Sequence, residues 1–446
     1  MFIRWFLGIS VALLVTATPA AAHVVGADSD VRLAQTIGGV ELTVVIRRTP
    51  RVPGPLHVDL VAHHPVRDLA IDIAVGDSAG EVLLRPDRAG TYPVVLDVRE
   101  TGAHELRLTA AAESSALPFL VRVPKPATWE LVVYGGFGAT GLSLTAALVA
   151  GARSRRTAAL ALGGVGVVAA VVAATVGVMS PGLGAEQRDA GRPNAQAFLS
   201  TTPARPAVGE EFTLRFDLVD GSTGLPVDDL AVHHDALAHL VVTSRDGGFF
   251  RHLHPLRTAP GRVEVRLAAD RPGGYLAHTE FERTDAGGQL VSGTFGVGAD
   301  GTGAGGIGAG GIGADEVGTD EVGTVGVGAE EIGAVAADEP PGPATWTFPP
   351  GRPATIEVDT GSTGLQSWLG MAGHLIVRDE AGGFLGHVHE RGSTSTSSDG
   401  TVAGHGPLLR FTVSFPRPGR YFAWLQYAED FRVVTVPYVV EVGDTR

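Results

Sequence analysis

Three observations predict a mainly β fold: three small antiparallel β-sandwich (Ig-like) domains plus a two-helix transmembrane hairpin. Short apolar-polar alternations are cut by Gly and Pro turns, a block of about 100 residues occurs twice, and two long stretches carry no charge. Mean hydropathy is +0.18 and charged residues make up 18% of the chain, so apolar spans are expected beside the soluble parts.

Residues 1–22 read as a signal peptide, with Arg4 at its positive end, an apolar run Phe6–Val15, and a small-residue cleavage site at Ala20-Ala21-Ala22. Cleavage would make His23 the mature N-terminus. Its amine and ring nitrogen would then form a chelate suited to Cu(II). Residues 23–124 alternate as strands (Glu41–Ile46, His57–Val61, Glu81–Leu84, Tyr92–Val98, Glu105–Leu108), which predicts an extracytoplasmic sandwich. His57 and His63 share a face there if their strand is unbroken, although surface or edge positions suit these histidines, His64 and His104 better.

The spans 131–151 and 157–180 are each long enough for a hydrocarbon core of about 30 Å. The loop 152–156 between them holds Arg153, Arg155 and Arg156, which places it in the cytoplasm and both larger portions outside the cell membrane. Glycines crowd both spans (Gly135, Gly136, Gly138, Gly141; Gly163, Gly164, Gly166) and predict close helix packing.

Residues 195–297 and 344–443 are two copies of one module. Gly221–Leu225 recurs as Gly361–Leu365, His239-Leu240-Val241-Val242 as His374-Leu375-Ile376-Val377, and His252-Leu253-His254 as His387-Val388-His389. Further on, Arg271–Tyr275 matches Arg417–Tyr421. The Gly-rich tract 298–343 between the copies reads as a flexible linker with a span on the order of 35–40 Å.

Each copy encodes a hairpin. With Asp246-Gly247 as the two turn residues, His239 falls opposite His254, and His252 shares the face. With Ala381-Gly382 as the turn, His374 falls opposite His389, beside His387. Three imidazoles on one face suit a Cu- or Zn-type ion, one ion per hairpin. Half-buried structural histidines and a pH sensor are the other readings. His278 aligns with Trp424 and is either a fourth ligand or an aromatic core position. His233 and His234 belong to the first copy only, while the second has Trp368 and Met371 there. Met371 is either a soft ligand or a core residue.

The net charge of −14 argues against a nucleic-acid partner. With no cysteine, disulfides, thiolate sites and a Cys nucleophile are excluded. No G-x-S-x-G, H-E-x-x-H or paired-carboxylate motif marks the chain as an enzyme.

Thr223-Gly224-Leu225-Pro226-Val227, His239, His252-Leu253-His254-Pro255 and Pro272-Gly273-Gly274-Tyr275 resemble exported bacterial H-x-H-P repeat modules. In the second copy Glu390 replaces the proline. Residues 23–124 are more faintly similar to YtkA/FixH-like sandwich domains, and more distantly the Ala22-His23 junction is similar to CopC-type proteins. The resemblance implies copper handling, with zinc as the alternative ion, and a partner among copper-handling or oxidase-assembly membrane proteins. The metal residues expected are His239, His252, His254, His374, His387, His389, His278 and His23. The competing expectation is a cell-surface adhesion or scaffold protein with structural histidines.

Overall fold

The computed structural model describes residues 30–63, 65, 67–123, 128–179, 193–284, 286–298, 305–311, 324–328, 347–348, 350–391 and 406–443. The signal peptide, His23, His64 and most of the linker lie outside the described residues.

The chain is mainly β, with antiparallel sheets stacked as Ig-like sandwiches. The first sandwich comprises β1 (Val31–Ile37), β2 (Val40–Ile46), β3 (Gly54–His63), β4 (Leu69–Val75), β5 (Ser78–Leu84), β6 (Gly90–Val98), β7 (Gly102–Ala110) and β8 (Glu113–Val121). Its sheets run β1-β2-β3-β6 and β5-β4-β7-β8. Alternate residues such as Ile71, Ile73 and Val75 point into the core, as the period of two requires. His57 and His63 do lie on the same side of β3.

Two helices follow, α1 (Thr128–Ala152) and α2 (Arg156–Met179), both long and apolar enough to cross a membrane. They pack as a hairpin through small residues. A Cβ on Gly136 would lie 2.7 Å from that of Ala173, and Thr140 Oγ1 donates to the Gly166 carbonyl at 3.2 Å.

The first repeat holds β9 (Ala195–Thr202), β10 (Glu211–Asp220), β11 (Leu230–Ala231), β12 (His239–Ser244), β13 (Phe250–Leu253), β14 (Leu256–Ala259), β15 (Arg262–Ala268), β16 (Gly273–Arg283) and β17 (Gly287–Val297). Its sheets run β14-β15-β10-β9 and β13-β12-β16-β17, the latter extended by β18 (Gly305–Gly311). After β19 (Thr324–Gly328), the second repeat comprises β20 (Thr347–Phe348), β21 (Pro353–Asp359), β22 (Gly373–Asp379), β23 (Leu385–His389), β24 (Leu408–Ser414), β25 (Gly419–Glu429) and β26 (Arg432–Val442). Its sheets run β19-β21-β24 and β20-β26-β25-β22-β23.

The two repeats pack face to face through β12-β13-β16 and β22-β23-β25. Val241, Phe250, Ile376, Phe422 and Trp424 form a buried apolar cluster between them, with Phe250 stacked on Trp424 at 4.6 Å. The contact has pseudo-twofold symmetry. The turn residue Gly247 sits against Phe422, and its counterpart Gly382 sits against Leu276, the residue equivalent to Phe422. Both glycines have positive φ (75° and 78°), so the turns need glycine twice over: for conformation and for close approach. Arg378, fully buried, donates to the carbonyls of Ser244 and Arg245 across the contact.

The first sandwich docks on this pair. Leu237 and Leu256 of the first repeat join its core cluster, and Ala34 packs with Ala236, Trp368, Leu369 and Ala428 where all three units meet. Thr36 clamps His254 from both sides. Its amide donates to the His254 carbonyl at 2.8 Å, and its hydroxyl accepts the His254 amide at 2.9 Å.

Candidate metal centre

Both hairpins have the expected register. Leu240 pairs with Leu253 and Val241 with His252, while His374 pairs directly with His389. The reversals themselves are wider than the expected two-residue turns. Gly247 N–H donates to the Ser244 carbonyl and Ser244 N–H to that of Phe249, and Gly382 and Asp379 do the same with Asp379 and Phe384. Residues 245–248 and 380–383 thus make the loops, while the register stays as expected. Within the first hairpin the rings of His239, His252 and His254 lie 5.0–5.5 Å apart. Within the second, those of His374, His387 and His389 lie 4.9–5.3 Å apart.

The expectation of one ion per hairpin is corrected by the packing of the repeats. The two triplets face each other and merge, with His387 lying 5.1 Å from both His239 and His252. Among the described residues, two groups can each bring one nitrogen per residue within 4.8 Å of the others: His239, His252 and His387, and His374, His387 and His389. The first is drawn from both repeats, and His387 belongs to both. His254 is in neither.

Hydrogen bonds fix which nitrogens are available. A neutral imidazole carries its proton on the nitrogen facing an acceptor and leaves a lone pair on the other. His239 Nε2 faces the His233 carbonyl at 3.1 Å, so Nδ1 is bare. Gln426 Nε2 donates to Thr435 Oγ1 at 3.0 Å, which turns its Oε1 to His252 Nδ1 at 2.9 Å, and with the amide so oriented His252 Nε2 is bare. These two bare nitrogens lie 3.3 Å from each other. His387 Nδ1 faces Glu280 Oε2 at 2.9 Å, and its Nε2 has no hydrogen-bond partner. In the second group, both ring nitrogens of the fully buried His374 and Nε2 of His389 are also without a partner. Burial, reinforced by neighbouring imidazoles, holds His239, His252 and His374 well below the ordinary histidine pKa, and His389 down to about 3. These are neutral imidazoles, the form that binds metal.

The surrounding shell repeats the pseudo-symmetry. Glu280 lies opposite His239 in the sheet and Gln426 opposite His374, and each reaches across to the other repeat's middle histidine. The first sandwich adds Glu41, whose Oε1 lies 2.5 Å from His254 Nδ1 and whose Oε2 accepts from Thr36 at 2.8 Å. Burial alone would raise both carboxyls. For Glu41 it is outweighed by His254, and for Glu280 by His387, so both are held below the ordinary glutamate value. Trp368 closes one end of the cluster with its ring 5.2–6.1 Å from those of His252, His254 and His374. At the other end His234 and His389, both half-buried, bring their rings within 3.7 Å.

His278 does not join either group, which corrects its place among the candidates. It pairs with Val241, one pleat nearer the turn than Glu280, and its Nε2 donates to the Gly382 carbonyl at 3.1 Å. It therefore fills the interface position that Trp424 fills in the other copy. Sequence reasoning missed Glu280 and Gln426, although both lie five residues after the aligned Tyr275 and Tyr421 and each falls opposite its copy's first histidine. Glu41 gave no such signal, because its role depends on domain docking.

No match was found among curated proteins. Similar solved structures include red sea bream transglutaminase (12% identity, 58% of this chain and 31% of that one, TM-score 0.16). Invasin, a bacterial integrin-binding protein, shares 8% identity over 89% of this chain and 58% of its own (TM-score 0.16). The titin Ig tandem A164-A165 shares 10% over 56% of this chain and 98% of its own (TM-score 0.14). This chain thus spans less than two thirds of the transglutaminase and of invasin. The two repeats match, over residues 196–300 and 349–444, a family model described as a domain of unknown function, DUF8832.

Proposed function

We propose that this chain is a membrane-anchored, extracytoplasmic metal-binding protein whose two repeats hold one transition-metal ion between them. Copper is the first ion to test and zinc the second. One observation carries the reading: the bare Nδ1 of His239 and Nε2 of His252 face each other at 3.3 Å, beside the unpartnered Nε2 of His387. With Gln426 donating to Thr435, the outer acceptors claim the proton of each ring, and the two inner lone pairs repel unless a proton or metal ion lies between them. The outer acceptors on the three rings are those that orient ligating histidines.

The arginine-rich turn between α1 and α2 supports a cytoplasmic loop. The first sandwich and the repeats touch, as the Thr36–His254 hydrogen bonds require, so both must lie on one side of any membrane the helices cross. Ion handling for a copper-dependent membrane partner is the role this placement suits.

The test is elemental analysis and metal titration of the full chain in detergent, wild type against His239→Ala/His252→Ala/His387→Ala. Stoichiometric Cu(II) or Zn(II) in the wild type and its loss in the variant is expected. Equal binding by both proteins, or none by the wild type, overturns the reading and leaves the scaffold alternative with structural histidines.

A further inference from the structure

We propose that Glu41 and Glu280 supply the counter-charge of a divalent ion in this cluster, and that the first sandwich, which delivers Glu41, is a working part of the site. The inference rests on the metal-binding reading above and deepens it. Glu280 Oε2 is 2.9 Å from His387 Nδ1, on the far side of that ring from its unpartnered Nε2. Glu41 Oε1 is 2.5 Å from His254 Nδ1, and the Nε2 of that ring has no partner either. The ion pairs of both carboxylates are with histidines. Glu280 is thus one ring removed from the nitrogens that would bind, while Glu41 lies behind His254, which is outside both nitrogen groups but has its ring 5.0–5.1 Å from those of His252 and His239. Both carboxylates are half-buried. On His387 the carboxylate of Glu280 fixes the tautomer and makes Nε2 a stronger donor. It also attracts the ion through the ring, with an energy proportional to the ion's charge.

The pseudo-symmetry provides an internal comparison. Glu280 on His387 and Gln426 on His252 occupy equivalent positions, and only the first is charged. The charge therefore falls on the ligand common to both nitrogen groups. Glu41 has no counterpart in the repeats and comes from the first sandwich, held in place by Thr36. Two carboxylates balance a 2+ ion and overbalance a 1+ ion, so the shell favours Cu(II) or Zn(II) over a monovalent ion.

The experiment measures Zn²⁺ and Ag⁺ affinities of the full chain by competition with a chelator of known affinity, for wild type, Glu41→Gln, Glu280→Gln and Gln426→Glu. Zn²⁺ affinity should fall about 10–100-fold in Glu280→Gln, whose carboxylate holds a ligand, and by less in Glu41→Gln, which acts by charge alone. In each variant Ag⁺ affinity should fall by a clearly smaller factor. Gln426→Glu should strengthen Zn²⁺ binding relative to Ag⁺, a gain that misfolding cannot produce. Equal factors for the two ions, no change in either, or no gain in Gln426→Glu overturns the proposal while the metal site stands. Wild-type protein that binds neither ion overturns the site and this proposal together.

Discussion

Replacing His387 with Ala tests the geometry most sharply, because this residue alone belongs to both groups of nitrogens. Structural Zn sites with four ligands release about 10–16 kcal/mol on binding, or roughly 3 kcal/mol per ligand, a factor on the order of a hundred. His387→Ala leaves only pairs of histidines and should weaken binding by that full factor. His239→Ala leaves His374, His387 and His389 intact, so the ion can shift into the second group at a cost within about tenfold. His389→Ala should behave like His239→Ala, since the first group survives. Competition titration of the three variants in the full chain gives the ranking, with thermal melts in chelator to monitor folding. His387→Ala binding as tightly as His239→Ala would refute the shared-ligand arrangement.

Two further outcomes follow from the contact between the repeats. Both turn glycines have positive φ, which costs a residue with a Cβ about 1–2 kcal/mol. A Cβ on Gly247 would fall 2.4 Å from the rigid Phe422 ring, whereas one on Gly382 meets the movable end of Leu276. Denaturant unfolding followed by Trp fluorescence should therefore show Gly247→Ala as the more destabilised of the two. His278 is held down to about 4, chiefly by burial, against about 6.5 when unfolded. Its neutral form is the one that folds, so its stabilisation is complete above pH 6.5 and is lost as pH falls toward 4, up to about 3 kcal/mol. His278→Leu should then lose less stability than wild type between pH 6.5 and 4 in thermal melts, and parallel losses would discount the effect.

The strands, the helices and both hairpin registers were legible in the sequence because each is a local matter. A short loop containing glycine, centred between the strands, sets the pairing whether two or four residues make the reversal, and pairing sets which histidines share a face. The merging of the two triplets was not legible, since it depends on how Phe250, Trp424, Phe422 and Leu276 fit across a contact between sandwiches. No periodicity within one strand encodes such a fit. His278 shows the same limit: its alignment with Trp424 was visible, but the Gly382 carbonyl that takes its proton lies 104 residues away. Glu41 is more remote still, reaching His254 from the far side of the membrane-spanning helices in sequence.

The pseudo-twofold contact has one more consequence. A surface that meets a copy of itself is what a homodimer of single repeats would present, each subunit lending its middle histidine to the other. Joining two such subunits on one chain makes the association independent of protein concentration, and it frees the halves from identity. Arg378 opposite Thr243, Trp424 opposite His278 and Gln426 opposite Glu280 are differences that a strictly symmetric assembly could not hold, because every change there would appear twice. Fusion thus allowed one half of a symmetric pair to carry the carboxylate and the other the guanidinium and the indole.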